Sequence, residues 1–361
     1  MNHPRDAAGL VDGNELQRFM QAALERCGVD DAARQAVAKA LLTASRMGTD
    51  SHGLRLLPHY VAAVQGGRIK PRPEMRFTRR LPGTGFLDAG DGFGHRAGYV
   101  AIDHAMAMAD EVGIGAVAVG HSSHFGAAGC YALEAAERGY VGLSFCNADA
   151  LVSVHQGKHA FHGTNPIAFA APVPGQKPYL LDMATSSIPW NRVKQYAAID
   201  HELPSNVVVD AHGKLTTDPH LARSLLPLGG TDFGFKGAGL AGMVEVLSAT
   251  LTGMIHGFRM VPMTGEDMAT PRGVGHFFLV MRPDAFVERE VYDRGMVGYL
   301  QDLRAQPAQE GAEVLAPGDR EWRCQAHRDA NGVPLDSANV AAYSALAQSL
   351  EIPPLVFLGE K

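Results

Sequence analysis

Asp50-Ser51-His52-Gly53 sets a hydroxyl directly beside an imidazole, the pair of side chains a proton-transfer step would use. Gly53 removes a side chain next to the ring, so a small ligand could approach closely. Upstream, residues 31–47 carry Ala36, Val37, Ala40, Leu41 and Ala44 at helical spacing. Gly48 ends that helix, and Asp50 or Ser51 is a natural N-cap for a second helix over residues 51–64. In that arrangement His52 lies at a positive helix end, which disfavours its protonated form and suits an acid that gives its proton away. A capped surface helix with an incidental histidine would use the same residues.

A second cluster is His121-Ser122-Ser123-His124-Phe125-Gly126, between an expected strand at residues 116–119 and an expected helix at 127–138. Open α/β sheets bind ligands beyond the carboxyl ends of their strands. The serines, Gly126 and the free N–H groups of the helix start therefore offer a phosphate site, and His124 could position a substrate or a nicotinamide. A polar loop whose histidines cap the helix is the plainer alternative. Asp182-Met183-Ala184-Thr185-Ser186 follows the apolar run Tyr179-Leu180-Leu181, and a carboxylate at a strand end suits ribose hydroxyls as well as an Asx turn. Thr164 and Asn165, in Gly163-Thr164-Asn165-Pro166, are candidates for substrate contact or for turn chemistry.

Gly237-Ala238-Gly239-Leu240-Ala241-Gly242 satisfies GxGxxG but follows a polar, glycine-rich run, so it is read as a decoy for a Rossmann fingerprint. Lys236 is the more useful signal. Just before a helix expected over residues 240–255, a cation and backbone N–H groups could together hold a pyrophosphate or a 2′-phosphate. An exposed lysine at a glycine-rich helix start is the alternative. His121-x-x-His124, and His155-x-x-x-His159 with His162, have loose metal-ligand spacing, without HExxH or a nearby thiolate. No metal is expected, and a histidine-metal hydrolase is kept as the rival from another class.

These residues need a large scaffold, and the composition provides one. The chain has 361 residues, 46% hydrophobic and 19% charged, enough for two or three lobes. A net charge of −6 without a basic run argues against nucleic acid as a partner. The four scattered cysteines form no CxxC pair. The polar N-terminus lacks a signal core, and no apolar stretch reaches spanning length, so a soluble cytoplasmic protein without a membrane partner is expected. Helices are expected at 15–26, 31–47, 51–64, 97–112, 127–138, 240–255, 285–303 and 337–350. Strands are expected at 116–119, 140–146, 167–171, 179–183 and 275–281. Residues 116–146 thus read as a strand–loop–helix–strand unit. The division expected is a helical lobe at 1–78, a mixed α/β cofactor domain at 79–310, and a segment at 311–361 that packs back on the helical lobe or on a second subunit.

Taken together, these motifs resemble the malate/L-lactate dehydrogenase family, whose relatives include ureidoglycolate and sulfolactate dehydrogenases, diketogulonate reductases and cyclic-imine reductases. The resemblance runs through Asp50-Ser51-His52-Gly53, Ser123-His124-Phe125-Gly126-Ala127-Ala128, Gly163-Thr164-Asn165-Pro166-Ile167-Ala168-Phe169 and Leu181-Asp182-Met183-Ala184-Thr185-Ser186. It continues in Thr216-Thr217-Asp218-Pro219, Leu226-Pro227-Leu228-Gly229-Gly230, Lys236-Gly237 and the tail Asn331-Gly332-Val333-Pro334-Leu335. It implies an α/β fold with a non-Rossmann, mixed-sheet cofactor domain and a helical lobe made by both chain ends. It also implies a homodimer and NAD- or NADP-dependent interconversion of a small 2-hydroxy carboxylate and its 2-oxo acid, with reduction of a cyclic imine as the alternative.

By resemblance, Ser51 and His52 match the catalytic pair, with His52 giving the proton to the substrate oxygen. His124 matches a catalytic or cofactor-contacting histidine, flanked by Phe125 and Gly126. Asp182, Met183 and Ala184 match a cofactor-binding strand end, Lys236 a cofactor lysine, and Thr164 a substrate-contacting threonine, with Asn165 beside it. Gly318 and Asp319 resemble a Gly-Glu pair that touches cofactor. The sequence departs from the family in several places. Many members carry an arginine four residues after the catalytic histidine to hold a substrate carboxylate. Here that position is Leu56, and Arg55, about 100° round a helix, is the candidate replacement. Where members show Gly-Lys, this chain has Asn191-Arg192, and Arg192 favours a carboxylate-bearing substrate over imine chemistry. Residues 231–235 look like a short insertion before Lys236, and Ala148 replaces a serine seen in some members.

Overall fold

The computed structural model describes residues 7–359. The helical lobe forms because its helices each carry one apolar stripe. In Gly13–Arg26, Leu16, Phe19, Met20, Ala23 and Leu24 are buried along one face, and Asp12 caps the start by accepting from the Asn14 N–H at 2.8 Å. Asp30 caps Asp31–Arg46 in the same way, through the Ala33 N–H at 2.9 Å. The C-terminal segment closes this lobe. Strand Val333–Asp336 pairs antiparallel with Ala7–Val11, and Asp336 then caps helix Ser337–Leu350. Phe19, Leu41, Leu57, Tyr343 and Leu346 share one core built from both chain ends, each large side chain contributing about 1.5–3 kcal/mol of burial.

The second body is a seven-stranded sheet. Its order is Arg76–Leu81, Thr84–Asp88, Ile114–Ser122, Val274–Met281, Val141–Cys146, Ile167–Ala171, Tyr179–Met183. Only Thr84–Asp88 and Ile114–Ser122 run parallel; every other neighbouring pair is antiparallel. This mixed sheet is not the parallel, doubly wound arrangement of a Rossmann domain. Helices Gly94–Val112 and Gly129–Glu137 pack against it through Ala101, Ala105, Ala132 and Ala135. The expected strand–helix–strand unit is split, because Val274–Met281 lies between Ile114–Ser122 and Val141–Cys146, antiparallel to both. Sheet pairing begins at Arg76, so the first strand straddles the boundary expected at 78/79.

Three departures from the sequence reading bear on the site. The expected helix over 51–64 is a 3-10 turn Asp50–His52, a second turn Leu54–Leu56, and an α-helix that starts only at Leu57. His52 therefore sits at no α-helix N-terminus. Gly53 is required by packing rather than by ligand access: a Cβ there would lie 2.0 Å from the Ser45 hydroxyl, which accepts the Leu54 N–H at 3.0 Å. The helix expected from 240 starts at Gly230, capped by Gly229 at φ 98°, and passes into a π-turn at Val246–Thr250. Lys236 and the GxGxxG run are thus inside a helix. Trp190–Ala198 and Asp319–Asn331 are helices without an expected counterpart. Among the described residues, no helix is long and apolar enough to cross a membrane.

Candidate active site

The Asp50–His52 turn faces the loop that leaves strand Ile114–Ser122, and this brings two imidazoles together. The rings of His52 and His124 are nearly parallel, 5.7 Å between centroids. His52 Nδ1 lies 2.9 Å from the Ser51 hydroxyl, so the hydroxyl–imidazole pair is formed. His124 Nδ1 lies 2.7 Å from the Tyr60 hydroxyl and accepts the Gly126 N–H at 3.3 Å. Neither Nε2 has a hydrogen-bond partner among the described residues. Both side chains are crowded by protein yet keep part of their surface exposed. Burial lowers the pKa of each, and His52 and Arg272 reinforce the effect on His124. Lack of solvation, not a helix dipole, disfavours the protonated form of His52.

Arg328 holds the Asp50–His52 turn, and no motif announced it. From helix Asp319–Asn331 its nearly buried guanidinium bonds both oxygens of Asp50, one at 2.9 Å, and also the Ser45 carbonyl. Asp50 is accordingly an ion-pair anchor rather than a helix cap. Asn191 Nδ2 reaches the Ser51 carbonyl at 3.5 Å, drawing the Trp190–Ala198 helix to the turn. Arg192, next to it, is half-buried and makes no ion pair among the described residues, so it is a cation free for an anionic ligand. Arg55 is not: its guanidinium pairs with Asp336 at 2.7 Å and ties the turn to the C-terminal segment. To receive a substrate carboxylate, as the sequence suggested, Arg55 would have to exchange Asp336 for it.

Asp182 ends strand Tyr179–Met183, and its Oδ2 accepts the Gly129 N–H at 2.9 Å. The carboxylate thus occupies the helix N-terminus that the sequence offered to a phosphate. Ser122 bonds His276 at 2.8 Å, and Ser123 caps the Gly94 helix at 3.0 Å, so neither serine is free for a phosphate. Crowding pushes Asp182 up to about 6, although its side chain stays open to solvent. Its strand is the sheet edge: the Leu180 N–H points outward to the Pro317 carbonyl at 3.2 Å. By strand alternation the Asp182 N–H and C=O face the same open edge. Gly318 lies there too, against Leu180, while the Asp319 carboxylate is already engaged by Arg304 and the Ala316 N–H. Met183 and Ala184 continue from this edge, half-buried.

Other expected residues are placed elsewhere. The Phe125 ring is sealed in the core, stacked 4.5 Å from His276, which leaves only its backbone for a cofactor. Asn165 is fully buried and donates to Glu245 Oε1 at 3.0 Å and to the Ala241 carbonyl at 3.1 Å, so it braces a helix rather than touching substrate. Thr164 is half-buried, and its hydroxyl has no partner among the described residues. Lys236 is exposed mid-helix with Nζ 5.2 Å from the Phe233 ring centre, which removes the helix-start reading. His121 pairs with Asp88 at 3.2 Å. A feature the sequence reading missed is the buried Arg272–Asp149 ion pair beside Arg68, whose guanidinium bonds the carbonyls of Met263 and Asp267. Burial, helped by Arg272 and Arg68, pushes His59 down to about 4, and Arg272 also adds positive potential at His124.

Comparison with known proteins adds an independent line. The sequence profile described as malate/L-lactate dehydrogenase matches residues 11–343. The chain is 34% identical to a malate dehydrogenase of Pyrococcus abyssi, covering 95% of this chain and 99% of that one. It is 34% identical to a (2R)-3-sulfolactate dehydrogenase (NADP(+)) of Chromohalobacter salexigens, over 86% and 90%. It is 31% identical to an Escherichia coli ureidoglycolate dehydrogenase (NAD(+)), over 85% and 87%. Among solved structures, malate dehydrogenase from Entamoeba histolytica superposes with a TM-score of 0.90 at 27% identity, over 95% and 98%. A delta1-piperideine-2-carboxylate reductase from Pseudomonas syringae gives 0.82 at 28%, over 94% and 99%.

Proposed function

The chain belongs to the malate/L-lactate dehydrogenase family, and from that membership we propose that it interconverts a small 2-hydroxy carboxylate and its 2-oxo acid with NAD or NADP. The observation that carries the chemistry is the near-parallel pair of imidazoles 5.7 Å apart, neither of whose Nε2 atoms has a hydrogen-bond partner among the described residues.

The site suits a nicotinamide cofactor. A planar carboxamide and ribose hydroxyls need neutral donors and acceptors, and the free edge at Asp182 with the backbone of Met183, Ala184 and Gly318 offers them. The cofactor supplies the hydride when bound. The chain manages the proton. In the oxidative direction the lowered pKa keeps His52 neutral near pH 7, ready to take the proton of the substrate hydroxyl on Nε2, while Ser51 orients the ring through Nδ1. In the reductive direction the imidazolium is a stronger acid for the same reason. Arg192 is the cation available to hold the substrate carboxylate, and Arg272, although paired with Asp149, adds positive potential at His124.

Fluorescence titration with NADH and, separately, NADPH is the direct test. Saturable binding of either is expected, and binding of neither would overturn the reading. The structural likeness to an imine reductase defines the rival, whose substrate also carries a carboxylate that Arg192 would hold. Assays with pyruvate, oxaloacetate and piperideine-2-carboxylate separate the two, since turnover of the imine alone would reverse the assignment.

A homodimer is part of the same proposal. The outer face of helix Gly230–Glu245 and its extension exposes Phe235 at 54%, Val246 at 52% and Leu251 at 57%, and the open Gly239 and Gly242 between them would let a second helix approach. Sedimentation should show a dimer for the parent chain and a monomer for Val246→Glu; an unchanged dimer would place the interface elsewhere. Four free cysteines suit the reducing cytoplasm, the compartment we propose.

A further inference from the structure

We propose that Tyr60 is a positioning residue that holds His124 as an Nε2–H donor toward the substrate oxygen, leaving His52 as the group that carries the proton. The inference rests on the oxidoreductase reading above and adds a division of labour between the two histidines.

The argument starts at Gly126. Its N–H direction is fixed by the backbone, held at φ 76°, and it points at His124 Nδ1 from 3.3 Å. A nitrogen that accepts an N–H carries no proton of its own, so in the neutral ring the proton is on Nε2. The Tyr60 hydroxyl, 2.7 Å from the same Nδ1, must then donate to it. Tyr60 is fully buried in helix Leu57–Gln65, and His124 is the only partner of its hydroxyl among the described residues. The Tyr60 ring is fixed edge-on to His95, 4.7 Å between centroids at 83°, and to Phe93 at 6.1 Å.

Two donors therefore converge on Nδ1, while Nε2 has no hydrogen-bond partner among the described residues and the side chain is partly exposed. The titratable and charged groups around the His124 ring are His52, His59, His95 and Arg272, all of which oppose a positive charge on it. A ring in that setting is a fixed dipole with its N–H end at Nε2. It can stabilise negative charge that grows on a substrate oxygen without exchanging its own proton. His52 lacks such a lock. Its Nδ1 neighbour is a hydroxyl that can donate or accept, so its proton can move between the two ring nitrogens as the direction of reaction requires.

The test uses the full-length chain labelled with 15N-histidine, with His124→Gln serving to assign the His124 resonances. Without cofactor or substrate, His124 should show the Nε2–H tautomer from about pH 6 to 9. In Tyr60→Phe only the longer of the two contacts, the Gly126 N–H at 3.3 Å, is left to hold Nδ1 as an acceptor, and the Nδ1–H tautomer should become partly populated. The kcat should fall about ten-fold, with KM and the cofactor Kd within about two-fold. An Nδ1–H tautomer in the parent chain overturns the assignment outright, even if Tyr60→Phe fails to fold. So does a Tyr60→Phe chain that keeps both its tautomer and its kcat, or one that loses kcat with the tautomer unchanged. Failure to bind NADH or NADPH would instead strike the oxidoreductase reading, because the tautomer measurement needs neither.

Discussion

His52→Ala should lower turnover by about 100-fold or more while the cofactor dissociation constant stays within about two-fold, the pattern of a lost proton-transfer group. The ring sits on a 3-10 turn of three residues, not within an α-helix, and among the described residues Ser51 is its only side-chain hydrogen-bond partner. Removing it therefore deletes no buried ion pair. The turn itself stays anchored by Arg328 on Asp50 and by Arg55 on Asp336. A water that replaces the imidazole can still relay a proton, which is why the loss should be partial. Turnover in the oxidative direction should rise with pH in the parent chain as the remaining imidazolium deprotonates, and that limb should vanish in the variant. Near-normal turnover would remove His52 from the mechanism and leave His124 as the only imidazole of the pair able to serve.

Much of this site was legible because its residues lie within short runs. Ser51 and His52 are adjacent in the chain, and a hydroxyl beside an imidazole needs no tertiary knowledge to notice. The strands 167–171 and 179–183 and the helix 337–350 coincide with elements of the structure, since apolar pattern and flanking breakers agree there. Groups that act across long separations were not legible. Arg328 reaches Asp50 from 278 residues away, and Tyr60 reaches His124 from 64. A single sequence gives no sign of which arginine or tyrosine will fold back. Helix 230–245 was masked for another reason: its glycines read as loop, but Gly237 is needed because a Cβ would lie 2.4 Å from the Leu228 backbone. Lys236 was misplaced along with it. Asp182 likewise accepts the Gly129 N–H of a helix of its own chain, a contact across 53 residues that no motif announced.

Acid should destabilise this fold steeply, and two sealed histidines give the sign. His95 and His276 are fully buried, and burial pushes both down to about 3. In the unfolded chain each would titrate near its ordinary value of about 6.5. Between those values the unfolded state binds more protons than the native state, so stability falls as pH falls. At pH 4.5 each histidine costs about 2.7 kcal/mol relative to neutral pH, at about 1.36 kcal/mol per pH unit. Both together approach the whole stability of an ordinary domain, about 5–15 kcal/mol. Asp182 acts in the opposite direction, since its raised carboxyl binds a proton more readily when folded, but solvent access screens much of that effect. Urea unfolding at a series of pH values should therefore show a falling midpoint from pH 6.5 down to 4.5. His95→Leu should retain its stability at pH 7, because both nitrogens of His95 lack protein partners and cost their desolvation there. It should also lose about half of the acid slope. A slope identical to that of the parent chain would mean that His95 protonates without unfolding, and that the ring beneath Tyr60 is reached by water.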